Sequence, residues 1–223
     1  MNMPSHPADT PLATIRANIA QSEKIAGRPA GSTTLIAISK TKPAEAIEDL
    51  IELGHRVFGE NRVQEAQAKF PDLRARYPDL QLHMVGQLQS NKADEAVALF
   101  DCIHSLDRMS LAKALAAAMT KAGRQVPCFV QVNIGEEEQK GGCAIADLPQ
   151  FLADVRALGL PVIGLMAVPP ADVEPSPYFA LLAKLARDHG LDQLSMGMSG
   201  DYETAVRIGA THVRIGSALF GAR

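Results

Sequence analysis

The chain has no tryptophan, three cysteines and an aromatic content of 4% across 223 residues. So few aromatic faces leave little on which nucleic-acid bases could stack. The net charge of −3 supplies no basic field for a phosphate backbone. No apolar run approaches the roughly 20 residues that a membrane-spanning helix needs. Residues 1–10 carry two prolines and no apolar stretch, so they read as a flexible tail and not as a secretory signal. Cys102, Cys128 and Cys143 are odd in number and form no C-x-x-C pair. That argues against a disulfide framework and against a zinc site. Cys102 and Cys128 fall in β-like runs and read as small buried hydrophobes, which suits a reducing, cytoplasmic setting. Neither G-x-G-x-x-G nor a Walker sequence occurs, which removes the usual nucleotide-binding signatures.

What is present is an alternation of short apolar runs and helical stretches. At 47% hydrophobic the chain can bury a sizeable core. A helix is expected over Leu12–Ala26, with Ile15, Ile19 and Ile25 on one side and Gly27 and Pro29 at its end. Strands are expected at Thr34–Ser39, Arg56–Gly59, Gln81–Gly86, Cys102–Ser105, Cys128–Asn133, Val162–Met166, Leu194–Met196 and His212–Ile215. Most are apolar at consecutive positions, as in strands covered on both faces. Ser90, Asp107 and Ser199 stand where helix caps belong, and Gly54, Gly123, Gly159, Gly190 and Gly209 stand at helix exits. Eight strands with intervening helices predict a single (β/α)8 TIM-type barrel over residues 11–223, with an extra N-terminal helix. A doubly wound open sheet is the alternative, although it usually shows a glycine-rich turn after its first strand.

In a barrel of this kind the carboxyl ends of the strands build the active face. Those ends offer Lys40, Asn61, Gln87–Gln89, Asn133, Met166, Ser199, Gly216 and Ser217. Lys40 closes the first apolar run, and a primary amine there can attack a carbonyl and form a Schiff base once it has lost its proton. Lys42, two residues on, is a candidate source of the repulsion that would lower its affinity for that proton. The plain alternatives are a charged strand end reaching for solvent at Lys40 and a solvated residue before Pro43 at Lys42. Ser199 and the Gly216-Ser217 pair each follow a strand in the manner of an anion seat, where backbone N–H groups face a ligand; Ser199 also fits an ordinary helix cap. Arg214, two residues before Gly216, would either pair with a carboxylate or donate to a ligand ring nitrogen. His83 reads as a satisfied core histidine, Asn91 and Lys92 as a helix opening, and Glu136–Glu138 as a solvated loop.

Taken together, several stretches resemble those of the pyridoxal phosphate homeostasis proteins, a family related to the barrel domain of alanine racemases. They are Ala37–Pro43, Phe58–Glu65, His83–Gly86 with Leu88–Lys92, and Val132-Asn133 with Glu137, Lys140 and Gly142. Gly164–Met166, Leu194–Ser199 and Val213–Ser217 complete the set, in order and over nearly the whole chain. The resemblance implies pyridoxal 5′-phosphate held by Lys40 as a Schiff base. Ser199, Gly216 and Ser217 would then seat the phosphate, Arg214 would face the pyridine nitrogen, and Asn61 would lie nearby without a clear role. Many relatives carry Thr where Ser217 stands, which keeps the hydroxyl. It further implies no catalytic residues, no metal and a carrier or regulator of vitamin B6 balance. Pyridoxal-phosphate-dependent apo-enzymes are candidate recipients, and nothing forces more than a monomer. An arginine opposite the ring nitrogen weakens the ring as an electron sink. Alanine racemases add a second domain with an opposing base, and this chain is expected to have no room for one after its eighth strand. The competing reading is a pyridoxal-phosphate-dependent racemase or another Schiff-base enzyme.

Overall fold

A computed structural model describes residues 10–221. The tail expected at residues 1–10 lies outside the described residues, except for Thr10. Thr10 is the N-cap of helix α1 (Pro11–Ile25), its hydroxyl accepting from the Ala13 amide at 3.2 Å. Proline is at home in this first turn, where its missing N–H costs nothing. Leu12, Ile15 and Ile19 form the buried stripe of α1. Ile25, expected on the same side, is instead 58% exposed. The helical period turns it away from the stripe and brings Ser22 and Glu23 inward in its place. Glu23 is buried and accepts from the amides of Gly31 and Thr33 at 2.9 and 2.7 Å, which anchors the approach to the first strand.

Eight parallel strands then close into a barrel, in the order β1-β2-β3-β4-β5-β6-β7-β8. They are β1 (Thr34–Ile38), β2 (Val57–Glu60), β3 (Gln81–Met84), β4 (Cys102–Leu106), β5 (Cys128–Gln131), β6 (Val162–Met166), β7 (Gln193–Ser195) and β8 (His212–Ile215). Between them run α2 (Ala44–Glu52), α3 (Val63–Arg76), α4 (Ala93–Leu99), α5 (Met109–Ala122), α6 (Leu148–Ala157), α7 (Ser176–Asp188) and α8 (Tyr202–Ile208), and α9 (Ser217–Phe220) follows the last strand. Closure removes the doubly wound alternative. The seam is the pairing of β1 with β8, where Ile36 stands beside Arg214 and Thr34 beside His212. The five expected helix-exit glycines all carry the positive φ that an αL stop requires.

Three helix starts differ from expectation. Ser90 opens a 3-10 turn, Ser90–Lys92, with α4 beginning only at Ala93. Asp107 pairs with Arg108 across 2.7 Å and makes no cap bond to α5. Ser199 lies before α8 but does not cap it; the helix begins at Tyr202. In each case the polar residue stands too early: a turn intervenes after Ser90 and Ser199, and Arg108 takes the N-cap of α5 one residue after Asp107.

Alternation along the strands sends Leu35, Ala37, Leu82, Ile103, Val130, Leu165, Leu194, Val213 and Ile215 into the main apolar layer between barrel and helices. Cys102, Phe129 and Met166 form a separate apolar cluster. The cysteines are free and buried, as expected of Cys102 and Cys128. Among the described residues no helix is long and apolar enough to cross a membrane.

Candidate functional site

Branched aliphatic side chains usually fill the interior of a (β/α)8 barrel. Here His83 of β3, His104 of β4 and His212 of β8 lie with ring centroids 5.1 to 6.1 Å apart, and Phe129 stacks on His104 at 4.4 Å. Burial lowers the affinity of each ring for a proton. His83 is pushed down to about 3 and His212 to about 4, with His104 well below its usual range. All three are therefore neutral at pH 7. His83 Nδ1 and His104 Nε2 are 3.0 Å apart, and His104 Nδ1 lies 2.8 Å from Ser195 Oγ. Cys102 completes a trio of ligand-type atoms within 4.8 Å. Both nitrogens of His104 are already engaged, so the trio reads as packing. The expectation of a satisfied core histidine at His83 holds.

The polar run ends at Arg214, which is buried. Its Nη1 donates to Ser195 Oγ at 2.6 Å and its Nη2 to the Ala167 carbonyl at 3.0 Å. An arginine can only donate. The Ser195 hydroxyl is thus free to pass its own hydrogen to His104 Nδ1, leaving the His104 Nε2–H for His83. Burial lowers the Arg214 pKa to about 10, with Asp201 opposing, so the group stays cationic at neutral pH. Its hydrogen-bond partners are neutral, which disposes of the structural carboxylate pair as an explanation for it.

Arg214 forms the floor of a cleft of about 500 Å³ at the carboxyl ends of the strands, within the range typical of small-molecule sites. Lys40, Lys42, Asn61, Ser199, Gly216 and Ser217 also line it. The structure thus brings Lys40, Asn61, Ser199, Arg214, Gly216 and Ser217 to one cavity, although Lys40 belongs to the first strand's end and Ser217 follows the last strand. Lys40 is half-buried. It occupies the second position of a turn closed by the Lys42 amide donating to the Ser39 carbonyl at 3.1 Å. Thr41, at the third position, has φ 62°. Type II turns need a positive φ there and normally use glycine. A β-branched residue in this region stores strain of about 1–3 kcal/mol, which the surroundings must hold.

Ser199 Oγ accepts from the amides of Gly216 and Ala218, both at 3.4 Å. The two backbone donors therefore converge on one point beside a hydroxyl, the arrangement expected of an anion seat. Released from capping α8, Ser199 is available to this seat. A Cβ at Gly216 would meet Ile38 at only ordinary contact distance, 3.4 Å. A tight approach near the cleft is found at Gly86, where a Cβ would come within 2.3 Å of the Asn61 carbonyl oxygen. Lys42 differs from expectation: it is half-buried and its Nζ donates to the Phe220 carbonyl at 3.2 Å. Several residues at the strand ends have structural jobs. Asn133 donates to the Glu137 carbonyl at 2.9 Å, Lys92 pairs with Glu95 at 3.1 Å, and Gln87 donates to Gln131 at 2.9 Å. Sequence reasoning missed His104 and the bonds of Ser195. Their signal was a polar residue at the inward position of a strand buried on both faces.

The alanine racemase N-terminal domain family matches residues 11–223. The pyridoxal phosphate homeostasis protein of Pseudomonas aeruginosa is 41% identical over 220 residues, covering 95% of this chain and 94% of the relative. This chain belongs to that family. The Escherichia coli pyridoxal phosphate homeostasis protein is 38% identical, with 95% of each chain covered. A solved structure of PipY from Synechococcus elongatus with pyridoxal phosphate bound superposes with a TM-score of 0.79. It is 39% identical and covers 91% of this chain and all of that one.

Proposed function

We propose that this chain binds pyridoxal 5′-phosphate in the cleft at the mouth of its barrel and acts in the balance of that cofactor. The observation that carries the reading is the meeting of three chemistries in one cavity of suitable size. They are the Lys40 amine, the Gly216–Ala218 amides around Ser199, and the buried Arg214 cation. The name of the family's members and the cofactor bound to PipY point the same way. The donor set fits the group: an anion seat for the phosphate, an amine for the aldehyde, and a cationic donor for the ring nitrogen. When bound, the cofactor supplies an aldehyde that condenses with a primary amine, releasing one water with no change in oxidation state. Lys40 provides that amine. Ser199, Gly216 and Ser217 would hold the phosphate, Arg214 would donate to the ring nitrogen without surrendering a proton, and Asn61 would lie nearby.

The chain acts as a carrier and not as a catalyst in this reading. The titratable groups lining the cleft are Lys40, Lys42 and Arg214. Lys42 is bound to carbonyls, and Arg214 is too strong a base to exchange protons at pH 7. No second proton-transfer group faces Lys40 among the lining residues, as removal of a proton from one face and return to the other would require. We further propose a cytoplasmic monomer that releases cofactor to pyridoxal-phosphate-dependent apo-enzymes.

Purified protein mixed with pyridoxal phosphate should develop a visible absorption band. Borohydride should fix a reduced adduct that peptide mass spectrometry maps to Lys40. Lys40→Ala should lose both. A label on another lysine would refute the assignment, and alanine racemisation at about 10 s⁻¹, typical of enzymes, would refute the carrier reading.

A further inference from the structure

Behind the turn that carries Lys40 sits a buried charge cluster that the cleft does not expose. Lys69 of α3 is 10% exposed at its side chain, and Glu60 at the end of β2 is fully buried. Lys69 Nζ lies 2.6 Å from Glu60 Oε1 and 2.9 Å from Glu65 Oε1. The same nitrogen donates to the Ser39 carbonyl at 2.9 Å and to the Lys42 carbonyl at 3.2 Å. These two carbonyls bracket Lys40 and Thr41. Glu65 Oε1 also accepts from the Thr41 amide, and Glu60 Oε1 from the Ser39 hydroxyl at 2.7 Å. Every residue from Ser39 to Lys42 except Lys40 is thus bonded to the cluster.

A buried ion pair is a poor source of stability, since desolvation offsets most of the attraction. Burial pushes the Glu60 carboxyl up despite the opposing bonds from Lys69 and Ser39, and Glu60 Oε2 is buried without a hydrogen-bond partner among the described residues. Such a costly arrangement makes sense where it fixes a geometry. The geometry here is a left-handed threonine, which would relax to a different turn if left unheld.

We propose that Lys69 is the positioning residue for Lys40. Held by Glu60 and Glu65, it grips the Ser39 and Lys42 carbonyls and fixes the strained turn in the form that presents the Lys40 amine to the cleft. This inference rests on Lys40 being the residue that links the cofactor. It concerns the covalent step alone, in which the amine adds to the aldehyde carbon and water leaves. Lys69 touches neither reactant.

The experiment compares wild type, Lys69→Met and Lys69→Arg with two probes. Pyridoxal phosphate reports covalent capture, through the rate of band growth and the fraction trapped by borohydride. Pyridoxine 5′-phosphate has an alcohol in place of the aldehyde and reports binding without capture. Lys69→Met should slow covalent capture at least ten-fold and leave pyridoxine phosphate affinity within about two-fold. Lys69→Arg should recover part of the rate. Glu65→Gln, which disturbs the Thr41 amide contact while the Glu60–Lys69 pair stays, should slow capture to a smaller extent. It serves as the primary variant should Lys69→Met not fold. Unchanged capture in a folded variant would overturn the proposal, as would a parallel fall with both probes, which marks a merely structural residue. A wild-type label found away from Lys40 would instead overturn the site assignment itself.

Discussion

Arg214 Nη1 donates to Ser195 Oγ at 2.6 Å, and this one contact joins the floor of the cleft to the histidines inside the barrel. The cation that would face a ligand ring is therefore oriented by a neutral chain reaching from β7 through β4 to β3. Its direction follows from the fact that arginine has only donors.

Ser195→Ala leaves Arg214 Nη1 and His104 Nδ1 each without that partner in a dry interior. Loss of a bond to a buried charged donor costs about 1–3 kcal/mol. The urea midpoint of the cofactor-free protein should fall accordingly, with the slope m unchanged. A midpoint equal to wild type would show that the contact contributes nothing.

The barrel histidines predict acid sensitivity. Burial pushes the folded pKa of His83 down to about 3, against 6.5 in the unfolded chain. Above pH 6.5 both folded and unfolded chains hold it neutral, and its full contribution is present. As pH falls below 6.5 the unfolded chain takes up a proton that the folded chain refuses, so stability drops until about pH 3. For His83 alone the loss at pH 5 is about 2 kcal/mol. Melting temperature between pH 7 and 4.5 should fall steeply, and His83→Gln should flatten the slope. An unaltered slope in a folded variant would contradict the assignment.

The two serines of the proposed phosphate seat predict a selective loss. Ser199→Ala combined with Ser217→Ala removes hydroxyl donors worth about 1.5–3 kcal/mol each toward a charged group. Pyridoxal phosphate should bind at least ten-fold more weakly, while pyridoxal, which lacks the phosphate, should bind as before. Equal losses for both ligands would place the phosphate elsewhere.

Gly86→Ala tests the backbone under Asn61. A Cβ there would lie 2.3 Å from the Asn61 oxygen and 2.6 Å from its Cα. Backbone has little freedom to yield, so the Asn61 segment must shift, at a cost of about 1–3 kcal/mol. Titration should show weakened pyridoxal phosphate binding together with a lowered melting temperature. Wild-type values for both would mean that the segment moves freely.

The architecture was legible because its signal is repetitive. Eight apolar runs separated by helical stretches lie within two residues of the observed strands. Strand-end geometry then brought Lys40, Ser199 and Gly216 forward as candidates, and they line one cleft. Single-residue cap assignments did worse: at Ser90 and Ser199 a turn intervenes before the helix, at Asp107 the cap falls one residue later, and local preference cannot count such residues. The Glu65–Lys69 spacing on α3 looks like any solvated i,i+4 pair. Only the approach of β1 to β2 makes that lysine an inside residue. The partners of Ser195 and His104 depend on which strands meet across the barrel, and a linear pattern carries no such information.

The seam between β1 and β8 sets an order of events during synthesis. Lys40 belongs to the first strand and Arg214 to the last, and both border one cleft. A nascent chain still missing its final strand has the Lys40 amine but neither Arg214 nor the Gly216 and Ala218 amides of the proposed phosphate seat. In the proposed reading, capture by Lys40 would wait until the ribosome has delivered the eighth strand, and the yellow colour of a fresh molecule would report that its circle has closed.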